Sequence, residues 1–318
     1  MRCPHLRESQ VKHCRISPLK KLIPRGLLRA ENERCSTPAF RHCPSFVQTQ
    51  EEHSAGDRCP YLEESLVQFC SVSPQTKFIP YSEESLMRCG TSASRFCEFS
   101  LAVSSPETGI PAAPQTATDA SIQHCSGLPV PAWLGFAPNH FWISEGEDGI
   151  NHIGIDAFLA SLMGEVDNIS FLTTRGLSEP AVVFHVRGVD LPLTFPRAER
   201  ITGVNTYLRL DPDRLTQRPY GLGWLFQTRP DRGGVGAGRE FSVPIRRGVE
   251  AARWMRSEVD RLRDSLQNEL AEDYPELGRL AADGGTVVGR LFQVLSREAI
   301  LRLQHEFFSL RNTPANAE

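Results

Sequence analysis

From Pro131 onward, apolar and polar positions alternate in short runs broken by turn residues. Phe141-Trp142-Ile143 and Ile150 to Ile155 flank Glu147-Asp148-Gly149, a pattern that predicts a hairpin. Asp156 stands before the apolar segment Ala157 to Met163 and Gly164 stands after it, so an N-cap and a glycine stop predict a short helix. Further strands are expected at Ile169–Leu172, Ala181–Val186, Ile201–Val204 and Trp224–Gln227. Together they describe a compact, mostly β unit of about one hundred residues with two short helices.

The period changes towards the C-terminus. Met255, Val259, Leu262, Leu266 and Leu270 recur every three or four residues, giving a helix with one apolar face. Val288, Leu291, Leu295, Leu303 and Phe307 form a second stripe after the break at Asp283-Gly284-Gly285. Both stripes need cover, and packing on the β unit or on each other is preferred to a dimer. Residues 231–247 read as a connector, because Gly233 to Gly238 lacks both the lysine ending of a phosphate loop and the last glycine of a dinucleotide fingerprint. Residues 101–130 read as a mobile linker: Ser104 to Ala120 is rich in Pro, Ala, Thr and Ser without an apolar period.

Before that linker lie eight of the nine cysteines, in two sets of four. Cys3, Cys14, Cys35 and Cys43 are separated by ten, twenty and seven residues, and Cys59, Cys70, Cys89 and Cys97 by ten, eighteen and seven. Intervening residues repeat as well: Cys3-Pro4, Leu6, Glu8-Ser9, Val11 and Ile23-Pro24 return as Cys59-Pro60, Leu62, Glu64-Ser65, Val67 and Ile79-Pro80. The chain therefore carries a duplicated four-cysteine module, residues 1–48 and 56–100. Each copy is too small for a hydrophobic core of its own, so a metal or a cross-link is expected. Four thiolates suit tetrahedral zinc, the leading reading; an iron-sulfur cluster fits the same ligand count, and two disulfides per module or buried free thiols are the alternatives without metal.

Bulk charge changes little. A net charge of −3 over 318 residues exerts no pull towards nucleic acid or membrane. Residues 1–48 hold ten basic side chains against three acidic ones, a balance of +7, but without interleaved aromatics a solvated basic face is expected ahead of nucleic-acid binding. No apolar run spans a bilayer, and Met1-Arg2-Cys3-Pro4 is not followed by the apolar core of a secretion signal, so the cytoplasm is the expected compartment.

Asn139-His140-Phe141-Trp142 with its acidic turn, then His152 to Leu172, then the run PYGLGWLF at Pro219–Phe226 follow in an order that resembles the glycine cleavage system H-protein, over about residues 131–230. The resemblance implies a barrel-sandwich hybrid, the lipoyl-domain type of β sandwich. It also implies a lysine on a hairpin turn, amide-linked to lipoic acid. Aligning Val182-Val183-Phe184-His185 with the strand before that turn puts Val186, Arg187 or Gly188 at the modified position. The only lysines of the chain are Lys12, Lys20, Lys21 and Lys77, so this domain offers no amine to acylate. Arginine is no substitute, because its guanidinium stays protonated and is not a nucleophile. Arg187 can bind an anion beside Asp190, although a solvating role is preferred. His140 and Trp142 read as packing and hydrogen-bonding residues, His185 as lacking a nucleophile partner, Cys125 as a passive thiol, and Glu145, Glu147 and Asp148 as solvated turn carboxylates.

The expected whole is a multi-domain α+β protein: two small Cys-rich modules, an H-protein-like sandwich and a helical tail over residues 248–311. It is read as non-enzymatic, an accessory or scaffold protein with no lipoate. Zinc or iron-sulfur is expected on Cys3, Cys14, Cys35, Cys43, Cys59, Cys70, Cys89 and Cys97, and a protein partner at the H-like domain or the tail. The alternatives are an iron-sulfur redox protein, a lipoyl carrier of glycine cleavage, and a nucleic-acid binder using the first module.

Overall fold

The computed structural model describes residues 2–16, 23–24, 34–49, 56–74, 79–80, 88–172, 179–230, 243–282 and 289–309. Two compact units divide the chain, Arg2–Gly90 and Thr91–Glu318.

In the first unit, β1 (Leu6–Cys14) is flanked by β2 (Ile23–Pro24); after the short helix α1 (Pro44–Val47), β3 (Leu62–Cys70) is flanked by β4 (Ile79–Pro80). The four form one sheet in the order β2-β1-β3-β4. β1 and β3 pair antiparallel over their whole length, from Leu6 opposite Cys70 to Cys14 opposite Leu62. Gln10 faces Leu66, its own counterpart in the duplication, so the copies are related by a local two-fold about that pair. The pairing follows from size: a single short hairpin is marginal in water, whereas two copies give a four-stranded sheet with Val11 and Val67 buried. The modules read at 1–48 and 56–100 thus pair through their strands. The copies share one sheet, and Cys97 lies in the second unit, where it precedes α2 (Glu98–Ser104).

Residues 101–130, read from composition as a linker, instead carry most of α2 and a hairpin of β5 (Ile122–Cys125) and β6 (Leu128–Pro131). Leu101, Ile110, Cys125 and Val130 are buried, which repays the ordering of the polar stretch between them. Next come β7 (Gly135–Phe136), β8 (Phe141–Glu145), β9 (Asn151–Ile155), α3 (Ala157–Met163), β10 (Asn168–Leu172), β11 (Ala181–Val186), β12 (Val189–Thr194), β13 (Glu199–Val204), α4 (Asp213–Gln217) and β14 (Phe226–Pro230). They build a five-stranded sheet, β13-β14-β9-β8-β7, and a three-stranded sheet, β10-β11-β12, both antiparallel. The expected β8–β9 hairpin forms. So does α3, whose N-cap Asp156 accepts from Leu159 N at 3.0 Å and whose C-cap Gly164 takes a φ of 66°.

The tail holds α5 (Gly248–Asn268), α6 (Pro275–Ala282) and α7 (Arg297–Leu303). The α5 face with Ala251, Met255, Leu262 and Leu266 buried is the stripe read in the sequence, and Leu291, Leu295, Leu303 and Phe307 are buried too. All belong to the same apolar cluster as the β-domain core. The tail is therefore core rather than appendage. Arg246, at the end of the supposed connector, exchanges both backbone hydrogen bonds with Phe136 at 2.9 Å. Gly233 to Gly238, the break at Asp283 and Val288 lie outside the described residues.

Candidate functional site

The hairpin between β11 and β12 turns on two residues, Arg187 with φ 49° and Gly188 with φ 72°. Two successive left-handed residues make the tight turn whose twist matches paired strands. Arg187 thus occupies the hairpin tip, one of the three positions, with Val186 and Gly188, to which the resemblance assigns the acylated lysine.

Its guanidinium is tied to the tail. Arg187 Nη1 donates to the carbonyl oxygens of Phe292 at 3.2 Å and Leu295 at 3.0 Å, in the turn that leads into α7. Arg297 Nη1 returns a bond to Gly188 O at 3.3 Å, and Gln304 Nε2 bonds Pro192 O at 3.2 Å. The tail therefore straps the tip and the adjacent strand β12. Arg187, although exposed, acts as a clamp in this arrangement through one of its guanidinium nitrogens.

A second cluster fastens the tail from beneath. His140 is fully buried, with φ 64°, and its Nδ1 lies 2.7 Å from Asp156 Oδ2. Its Nε2 is 3.7 Å from Glu258 on α5, and Glu258 in turn is held by Arg261 Nη1 at 2.6 Å. The ring stacks on Phe158 at 4.4 Å and lies 5.0 Å from Trp254. Burial alone disfavours the charged imidazole, but Asp156 and then Glu258 outweigh it and push the pKa up to about 9. Burial likewise disfavours the Glu258 carboxylate, and His140 and Arg261 reverse this, holding its pKa below the ordinary value. His140 thus joins α3 to α5, with Asp156 and Glu258 favouring its charged form. Trp142 donates Nε1–H to Pro219 O at 3.1 Å and stacks on Phe96, as its packing role requires.

His185 does have a partner, contrary to the sequence reading. Ser170 Oγ lies 2.9 Å from its Nε2, and Asp190 Oδ1 lies 2.7 Å from its Nδ1. The connectivity is that of a Ser-His-Asp array. It sits on the outward face of a sheet, however, with Asp190 at 70% side-chain exposure, where solvent screens the orienting carboxylate. The turn carboxylates are also structural: Asp148 accepts from Ser92 N at 2.7 Å and Ser92 Oγ at 2.6 Å, and Glu145 from Arg247 at 2.8 Å. Cys125 is buried and donates to Ala252 O at 3.2 Å, a packing role.

The cysteines are brought together only in part. Cys14, Cys35 and Cys59 belong to one apolar cluster with Phe40 and Tyr61. Among the described residues, no group of three or more His, Cys, Asp or Glu side chains is already gathered as a metal site. Nor, among those residues, is any helix long and apolar enough to cross a membrane. Sequence reasoning missed Glu258, Phe292, Leu295, Arg297 and Ser170, because each acquires its role through a partner from a distant element.

The second unit is thus a mixed α+β domain that presents a two-residue hairpin tip. No family model matches the chain. The glycine cleavage system H protein of Thermobifida fusca is 31% identical over 105 residues, 31% of this chain and 81% of that protein. The H protein of Acinetobacter baylyi is 31% identical over 105 residues, 32% of this chain and 83% of its own length, and that of Psychrobacter cryohalolentis 27% over 106 residues, with the same shares. The crystal structure of the H protein from Mycobacterium marinum is similar at a TM-score of 0.31 and 22% identity, over 40% of this chain and 98% of that one. Through about a third of its length, this chain belongs to the glycine cleavage system H protein family; the rest is unassigned.

Proposed function

We propose that this protein is a non-catalytic accessory or scaffold protein, in which an H-type barrel-sandwich domain without an acyl arm is coupled to a duplicated thiolate unit that binds zinc. One observation carries the first half: Arg187 stands at the hairpin tip with its guanidinium bonded to the tail carbonyls of Phe292 and Leu295. A swinging arm needs a nucleophilic amine at an uncovered tip. This tip has a non-nucleophilic cation, itself exposed, tied to the tail by hydrogen bonds. The surface of the strapped domain, rather than a covalent arm, then meets the protein partner. The second half rests on donor chemistry: seven of the eight duplicated thiols lie in one unit with little apolar core, and such a set suits zinc, whose binding energy becomes folding energy.

Three measurements test this reading. Intact mass of the chain co-expressed with a lipoate-attaching enzyme is expected to show no acyl adduct, and an adduct within residues 131–230 refutes it. Arg187→Ala is expected to speed amide exchange over residues 291–297 by at least about tenfold, the loss of about 1.4 kcal/mol of local clamping. Metal analysis of protein purified without oxygen is expected to find zinc; iron with sulfide would transfer the thiolate unit to redox chemistry.

A further inference from the structure

Backbone pairing links cysteines of different copies. Two reciprocal backbone bonds cross between the copies: Cys59 N–H donates to Cys35 O at 2.9 Å, and its counterpart Cys3 N–H donates to Cys89 O at 2.8 Å. With N–Cα about 1.5 Å and Cα to its own carbonyl oxygen about 2.4 Å, the Cα atoms of each pair lie no more than about 7 Å apart. The strand register does the same for the second cysteine. Cys14 faces Leu62, three residues after Cys59, and Arg15 N–H extends that ladder to Tyr61 O at 2.9 Å. Reciprocally, Cys70 faces Leu6, three residues after Cys3, and Ser71 N–H bonds His5 O at 3.0 Å.

An apolar cluster contains one of these groupings. Cys59 is buried with Phe40 and Tyr61, and Cys14, Cys35 and Phe46 pack against them. Cys43 donates its N–H to Phe40 O at 2.9 Å and leads into α1, so it adjoins the same phenylalanine. The second, third and fourth cysteines of the first copy are thereby joined by the first cysteine of the second copy. Each leading cysteine opens a Cys-Pro turn, closed by Leu62 N to Cys59 O and by Leu6 N to Cys3 O, both at 3.1 Å.

Resting on the metal reading above, we propose that the two copies exchange their first cysteine, so that Cys14, Cys35, Cys43 and Cys59 form one thiolate set for a tetrahedral zinc ion. Reciprocally, Cys3 of the first copy joins Cys70 and Cys89 of the second. A zinc ion holds thiolates at about 2.3 Å, and because the four side chains are not already gathered they must turn inward about χ1 to bind it. Exchange also accounts for the duplication. One copy alone lacks a ligand for its own site, so the ion ties β1 to β3 as well as closing a loop.

The experiment uses the full chain, stripped of metal under reducing, oxygen-free conditions and titrated with cobalt(II), whose thiolate charge-transfer band counts occupied sites. Cys35→Ser is expected to lose one ion per chain. Adding Cys59→Ser is expected to cost nothing more, because both changes fall in one set, whereas adding Cys3→Ser removes the remaining ion. The opposite pattern overturns the exchange and leaves the metal reading standing; a wild-type chain that takes up neither zinc nor cobalt overturns the metal reading and this site with it. A second measurement avoids variants that fail to fold. Metal-free wild-type protein is oxidised with diamide, which removes two electrons and two protons from each thiol pair, and the disulfides are mapped by mass spectrometry. Cys35–Cys59 and Cys3–Cys89 peptides are expected; Cys3–Cys35 and Cys59–Cys89 peptides would overturn the exchange.

Discussion

Asp156→Asn isolates the charge at the buried joint between α3 and α5. Asparagine caps a helix about as well as aspartate, so the bond to Leu159 N survives while the charge facing His140 is removed. The ring is faced by Asp156 from the start of α3 and Glu258 from α5, with Phe158, Trp254 and Phe308 around it; Arg261 pairs with Glu258, and the Tyr220 hydroxyl bonds Ala157 N at 3.0 Å. Because the folded-state pKa of about 9 exceeds the ordinary 6.5, the contribution of His140 to stability is complete below pH 6.5 and lost as pH rises through 9. At about 1.4 kcal/mol per pH unit, that displacement corresponds to about 3 kcal/mol. Urea unfolding followed by tryptophan fluorescence reads this unit alone, since Trp133, Trp142, Trp224 and Trp254 all lie in it. At pH 6 the variant is expected to be about 3–5 kcal/mol less stable than wild type, the cost of breaking a buried pair, and the gap is expected to narrow by about 3 kcal/mol towards pH 10. A gap that stays constant from pH 6 to pH 10 refutes a charged His140.

Gly154→Ala places a Cβ 2.6–2.9 Å from the ring of buried Trp142, so thermal unfolding is expected to show a loss of about 1–3 kcal/mol; an unchanged midpoint would mean that the ring yields freely. Ser170 is expected to resist a fluorophosphonate probe, and Ser170→Ala to leave any esterase background unchanged. Covalent labelling that disappears with Ser170→Ala would instead make the array of Ser170, His185 and Asp190 catalytic.

Much of the second unit is legible in the sequence because its signals are local. The β8–β9 hairpin, α3 with its Asp156 and Gly164 caps, and the apolar face of α5 follow from side-chain period and backbone preference within a few residues. The supposed linker at 101–130 shows how composition fails. Its Pro- and Ser-rich stretch resembles unanchored chain, but Leu101 and Val130 at its ends and Ile110 within it reach the core, which no window over residues 104–120 can reveal.

The sequence alone determined that the hairpin tip has no lysine and that the cysteines are duplicated, since both are matters of residue identity and order. Tertiary structure decided what those residues do. Arg187 meets the carbonyls of Phe292 and Leu295 across more than a hundred positions, and Cys59 meets Cys35 only because β1 and β3 pair edge to edge. Such roles belong to pairs of residues joined by packing, and periodicity along one segment carries no information about which distant segment it will meet.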